Sequence, residues 1–305
     1  MQRKLTDYLI IMLKGVAMGA ADVVPGVSGG TIAFISGIYQ ELIDSINSFN
    51  FKAVKILKTK GFKATFNYVN GRFLISLLAG IGLSVISLAR LFKWLIEEHP
   101  IFIWSFFFGL VLASIYFVGK QIEKCNFTTI INLLIGTVIA YYITVVPAMQ
   151  TNNQPWFLVL AGALAICAMI LPGISGAFIL LLLGVYKPAL EAIHNFDVKK
   201  IALLGFGAII GLLSFARILK WLFTNYKNQT LAILTGFIIG SLNKIWPWKK
   251  TLSWYTNSNG IKLPLTQKSI SPFQTENNHL LLAIFLAIIG FGLILFLEKM
   301  GPKKS

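Results

Sequence analysis

Acidic side chains are scarce: 11 Asp and Glu in 305 residues, against 27 Lys and Arg. Only 12% of the chain is charged and 56% is hydrophobic, where a soluble domain carries roughly 25% charged residues. Cysteine is limited to Cys125 and Cys167, and histidine to His99, His194 and His279. Neither type occurs at metal-ligand spacing, and two cysteines make no disulfide framework, so no metal and no cofactor are expected. The net charge of +16 would suggest nucleic acid in a soluble protein. Here the basic residues lie between apolar segments, which points to membrane topology and anionic lipid and against a nucleic-acid partner. A cleavable signal is not expected either. The apolar run after Arg3 and Lys4 ends in Asp22 and a repeated motif, not in a small-residue cleavage site.

Long apolar runs are abundant. A helix crosses the hydrocarbon core with ~20 residues, and Leu280–Leu297 is an unbroken run of apolar residues and glycine. The pattern predicts ten helical segments: 6–22, 28–47, 72–96, 101–119, 127–147, 156–171, 175–193, 199–223, 229–244 and 279–298. The expected fold is an all-α polytopic membrane protein.

The chain also contains itself twice. Val24-Pro25-Gly26-Val27-Ser28-Gly29-Gly30-Thr31 returns as Leu171-Pro172-Gly173-Ile174-Ser175-Gly176-Ala177-Phe178, 147 residues later. Ala21–Lys52 and Ala168–Lys199 share 11 identities in 32 positions. Ala89–Leu95 then matches Ala216–Leu222 at an offset of 127, which also aligns Gly109 with Gly236 and Ser114 with Ser241. The chain therefore reads as two membrane repeats of five segments, 1–150 and 151–305, each with a polar insertion (48–71 and 246–278). An odd number of crossings per repeat makes the repeats inverted. Pro25-Gly26 and Pro172-Gly173 sit in connections too short for exposed loops, so a re-entrant hairpin is expected to open each repeat. Loop 48–71 holds five lysines and no acid, which places it, the N-terminus and the C-terminal tail in the cytoplasm. Gly15/Gly19, Gly207/Gly211 and Gly236/Gly240 are candidates for close helix contacts.

Duplicated, Gly- and Pro-broken membrane segments are where binding sites are sought. Pro25, Gly26, Pro172 and Gly173 are the candidate hinges. Ser28 and Ser175 are candidate N-caps, and the amides after them, at Gly29, Gly30, Thr31 and Gly176, are candidate anion donors. Arg90 and Arg217 occupy equivalent positions and either snorkel to the headgroups or clamp a phosphate. Asp22 beside an anion site must be protonated, paired or functional, which makes it the candidate carrier of a coupling proton, with Lys14 as its candidate partner. Glu41, Asp44 and Glu191 are further coupling candidates, or pair with bases such as Lys187. Cys167 reads as a packing residue.

The run Ala21–Thr31, its echo Leu171–Gly176, and Gly184-Val185-Tyr186 resemble the polyprenyl-phosphate transporter family of bacterial membranes. The resemblance spans nearly the whole chain apart from 246–278. It implies a flippase of the bacterial cytoplasmic membrane that returns undecaprenyl phosphate from the outer to the inner leaflet for cell-wall synthesis, coupled to an ion gradient. It implies no enzyme activity, and a homodimer is an allowed assembly. One alternative is a membrane phosphatase of undecaprenyl pyrophosphate, but Gly29-Gly30 replaces the Arg-Ser of that family's Pro-Gly-x-Ser-Arg-Ser loop. A small-anion transporter and a lipid-regulated scaffold are the others.

Overall fold

The computed structural model describes residues 3–23, 27–256, 262–275 and 278–299. Its first half comprises helices α1 (Leu5–Val23), α2 (Gly29–Ile35), α3 (Tyr39–Asn47), α4 (Phe51–Tyr68), α5 (Gly71–Glu98), α6 (Pro100–Gly119) and α7 (Phe127–Val145). The second comprises α8 (Pro155–Ile170), α9 (Gly176–Leu182), α10 (Tyr186–His194), α11 (Val198–Asn225), α12 (Lys227–Ser241), strands β1 (Lys249–Thr256) and β2 (Lys262–Ser269), and α13 (Leu280–Lys299). The fold is mostly helical. Among the described residues, helices α5, α6, α7 and α11 are long and apolar enough to cross a membrane, and α9 with α10 is apolar enough only as a pair bent by 110°, the shape of a broken span or a re-entrant loop.

Two expected helices are broken. Segment 28–47 is α2 and α3, and segment 175–193 is α9 and α10. The cause is the same in both: Gly37 and Gly184 adopt positive φ, 74° and 67°, which ends a helix at little cost only for glycine. The closing bonds also match. Ile38 N–H donates to the Ala33 carbonyl (3.0 Å) and Val185 N–H to the Leu180 carbonyl (2.9 Å).

Both polar insertions are structured, contrary to their reading as loops. Asn50 caps α4 by accepting from Lys52 and Ala53 N–H, which starts a lysine-rich helix that also exposes Phe51 and Phe62. Strands β1 (Lys249–Thr256) and β2 (Lys262–Ser269) pair antiparallel, a departure from an all-α fold.

Packing repeats at the sequence offsets. In α1 and α5, a Cβ on Gly15 would strike the Leu77 carbonyl, and one on Gly80 the Met12 carbonyl. Adding 147 and 127 gives Gly162 against Leu204 and Gly207 against Val159 in α8 and α11, and both contacts are present. The last helices cross between halves. In α6 and α13, Gly109 meets Ala287 and Gly290 meets Phe106; in α12 and α7, Gly236 meets Leu133 and Gly136 meets Ile233. These are the close approaches that small residues permit in lipid.

Polar contacts sort the helix ends onto two faces. Glu41 of α3 accepts from Arg3 (2.7 Å) and from Asn70 (2.8 Å) at the start of α5. Asp44 of α3 pairs with Lys220 near the end of α11 (2.7 Å), and Lys227 at the start of α12 pairs with Glu123 just after α6 (2.6 Å). At the other ends Asn243 donates to Thr144 (2.9 Å), Trp246 packs on Phe108, and Trp248 Nε1 donates to Asn278 O (2.9 Å). Thus α12 runs parallel to α7 and antiparallel to α6, its counterpart in the repeat.

Gly80→Leu and Gly207→Leu should each cost several kcal/mol, since overpacking against backbone costs ~1–3 kcal/mol or more. The measurement is recovery of monodisperse protein in detergent after heating. Gly82→Leu and Gly205→Leu, with nothing within 4 Å of an added Cβ, should behave as wild type.

Candidate functional site

The two copies of the motif touch. The Ser28 hydroxyl donates toward the Leu171 carbonyl (3.0 Å), with the Met169 carbonyl at 3.2 Å, and Gly173 N–H donates to Thr31 Oγ1 (3.0 Å). Ser28 and Thr31 are both 1% exposed, so these bonds sit in the protein interior. Ser28 keeps extended dihedrals and accepts from Gly30 N–H (3.1 Å), as an N-cap does. A Cβ on Gly30 would collide with the Ile170 carbonyl, so this position of the turn admits no side chain.

The copies differ in how their helix starts are closed. In the first, Gly29 N–H donates to Asp22 Oδ1 (2.7 Å), Gly30 N–H to Ser28 Oγ, and Thr31 N–H to the Ser28 carbonyl (3.0 Å). The three amides expected to face an anion are thus already engaged. In the second, Ser175 is extended but makes no side-chain cap bond, and Gly176 N–H has no acceptor among the described residues. Ser175 lines a narrow cavity of about 10 Å³ with Thr144, Gly173, Phe178, Ser241 and Lys244. The open side of the paired motifs is therefore the second copy. Pro172 and Gly173 form its turn, with Gly173 at φ 86° and backed by the Ile238 backbone; Pro25 and Gly26 lie outside the described residues.

Asp22 and Lys14 do not bond each other, contrary to expectation. Lys14 is buried, and its ammonium donates to the Ser36 carbonyl at the end of α2 (2.6 Å), while Asp22 caps Gly29. Each repairs a different end of the same short helix, about eight residues apart along α1, too far for direct contact. Glu41 and Asp44 hold the pairs given above. Glu191 sits 3.7 Å from Lys187, one turn away on α10. Arg90 of α5 and Arg217 of α11 are both exposed and make no hydrogen bond or ion pair among the described residues. They stand apart from the motif contact.

Two functional candidates escaped the sequence reading, Lys244 and Lys249. Lys244 Nζ lies 4.3 Å from the centre of the Phe178 ring, and Lys249 Nζ lies 3.8 Å from that of Trp104 and donates to the Lys244 carbonyl (2.6 Å). Both lie outside the helices, past the end of α12. Burial lowers the pKa of Lys244; burial first and the Lys244 charge second lower that of Lys249 well below the ordinary lysine value. The aromatic-spaced run Trp246-Pro247-Trp248-Lys249 was the available signal.

Residues 18–263 match the family profile described as undecaprenyl phosphate translocase-like. A polyprenyl-phosphate transporter of Vibrio cholerae is 48% identical over 308 residues, covering 99% of this chain and all of that protein. A polyprenyl-phosphate transporter of Staphylococcus aureus is 35% identical over 268 residues, covering 81% of this chain and 90% of that one. No solved structure matches. Both relatives are named as transporters, not enzymes. With that coverage and identity, the chain belongs to the undecaprenyl phosphate translocase-like family of polyprenyl-phosphate transporters.

Proposed function

We propose that this protein carries undecaprenyl phosphate, or a related polyprenyl phosphate, from the outer to the inner leaflet of the bacterial cytoplasmic membrane. The substrate class rests on the names of the two relatives. The observation that supports a carrier is the contact of the two motif copies, Ser28 to Leu171 and Gly173 to Thr31, deep between the halves. Broken helices that meet inside a membrane protein are where transporters hold polar substrates.

The halves are inverted repeats in this reading. It is supported by the antiparallel course of α6 and α12, which are equivalent in sequence, and by glycine contacts that recur at the repeat offsets. In the same reading α1 with α2–α3, and α8 with α9–α10, are re-entrant hairpins. Arg3, Glu41 and Asn70, at or near the starts of α1, α3 and α5, share one face, as a hairpin that returns to its origin requires. The N- and C-termini lie in the cytoplasm and the β-hairpin outside, and a homodimer is compatible with the fold.

The isoprenoid tail stays in lipid while the phosphate passes the motifs. Ser175 and Gly176 offer the receiving groups at the second copy; Ser28, Gly29, Gly30 and Thr31 form the wall against which that copy is fixed. Pro172 and Gly173 form the turn that moves at the second copy; Pro25 and Gly26 remain hinge candidates from the sequence. Arg90 and Arg217, exposed on equivalent helices of opposite direction, gather headgroups from one leaflet each. Asp22 carries the coupling proton: protonation weakens its hold on Gly29 N–H and loosens the start of α2. Glu41, Asp44 and Glu191 latch the helices that follow the motifs.

Undecaprenyl phosphate in proteoliposomes should cross leaflets faster with the protein than without it, read by access of a membrane-impermeant phosphatase. Equal rates would refute the carrier. Arg90→Ala and Arg217→Ala should each slow crossing about tenfold, the loss of one charge-assisted bond of ~1.5–3 kcal/mol. Asp22→Asn keeps an oxygen acceptor for Gly29 N–H, so it should fold normally but flatten the pH dependence of crossing. An unchanged pH profile would reduce Asp22 to a structural cap. Ser28→Ala should cost about 1 kcal/mol of stability, as N-cap losses do, measured by thermal unfolding in detergent.

A further inference from the structure

We infer that Lys244 and Lys249 form the outward-facing capture point for the phosphate monoester, with Ser175 beside them and the β1–β2 hairpin as the element that brings the second cation. This deepens the carrier reading and rests on it. No carboxylate pairs with either ammonium among the described residues: Lys244 Nζ faces only the Phe178 ring, and Lys249 Nζ only the Trp104 ring and the Lys244 carbonyl. Two part-buried cations on nearby residues of one segment without an acid are costly, because each loses water. Burial lowers the pKa of Lys244, and burial together with the Lys244 charge lowers that of Lys249. A phosphate that reaches Lys244, with Lys249 close behind it on the chain, supplies the missing negative charge.

Position favours a lipid headgroup. Lys244 lines the cavity that contains Ser175, Gly173 and Thr144, so an anion held there lies against the second motif. The cavity has room for about one water, so capture requires Lys244 to leave Phe178. The cation–π contact it gives up is replaced by a charge-assisted bond to phosphate, which is shorter and more directional. The first repeat has no counterpart. The positions equivalent to Lys244 and Lys249 at the offset of 127 are Phe117 and Ile122. Capture is thus built on one side only, the side that carries the hairpin, which matches inward transport.

The test uses the full chain in nanodiscs, with undecaprenyl phosphate, undecaprenol and inorganic phosphate as probes. Wild type should bind undecaprenyl phosphate and not undecaprenol. Lys244→Gln should weaken binding about tenfold with an unchanged unfolding temperature, and Lys244→Arg should restore most of it. Equal binding by wild type and Lys244→Gln would overturn this inference and leave the carrier reading standing; no lipid-phosphate binding by wild type would overturn the carrier reading itself. Displacement of the lipid by millimolar inorganic phosphate would assign the pocket to the free anion and overturn the lipid assignment. Should Lys244→Gln fail to fold, acylation of Lys244 in wild type decides the matter. Protection by undecaprenyl phosphate supports the inference, and equal labelling with and without it refutes it.

Discussion

Irregular backbone inside a membrane protein must find its hydrogen-bond partners within the chain. Here the start of α2 and the second motif turn supply each other. Ser28 answers a carbonyl of the second turn, and Thr31 answers an amide of it. Neither the start of α2 nor the second turn can shift without breaking these bonds, so the two are coupled through one small interior contact. Lys14 and Asp22 extend the same logic to the ends of α2: an ammonium on the carbonyl of its C-cap Ser36, a carboxylate on its first amide. Both placements agree with the sign of the helix dipole.

The architecture is symmetric where packing decides and asymmetric where charge decides. Glycine contacts repeat position for position. Charged groups do not. Lys14 and Asp22 correspond to Ala161 and Met169, and Lys244 and Lys249 to Phe117 and Ile122. One repeat closes its helix start with its own side chains, and the other leaves its start open beside Lys244. A symmetric frame with unlike charges at its two motifs is suited to directional work.

Much of this was legible in the sequence because the chain states it twice. The offsets of 147 and 127 located the matched helices, and the glycine pairs marked contacts that the structure contains. Broken helices at Gly37 and Gly184 were visible as a shared Gly–x–Tyr, yet the hydrophobic run across each break masked the bend. Helix α4 was hidden by its lysines, since a helix lying along a surface lacks the apolar length of a spanning one. The β1–β2 pair was hidden for the opposite reason: nothing else in the chain prepares for strands. The partner of Lys14 could not be read at all, because a backbone carbonyl leaves no trace in residue type. The Lys244 and Lys249 pair depended on Phe178 and Trp104, from distant segments that only folding brings near.

The exchange of final helices has a consequence for biogenesis. Helix α6 rests on α13, and α7 rests on α12, so residues 100–145 enter the bilayer long before their permanent neighbours are synthesised. During that interval the groove around Gly109 and Gly136 faces lipid or a chaperone of the insertion machinery. The nascent first repeat is a half-built clasp, and only arrival of the last twenty residues of helix locks it shut.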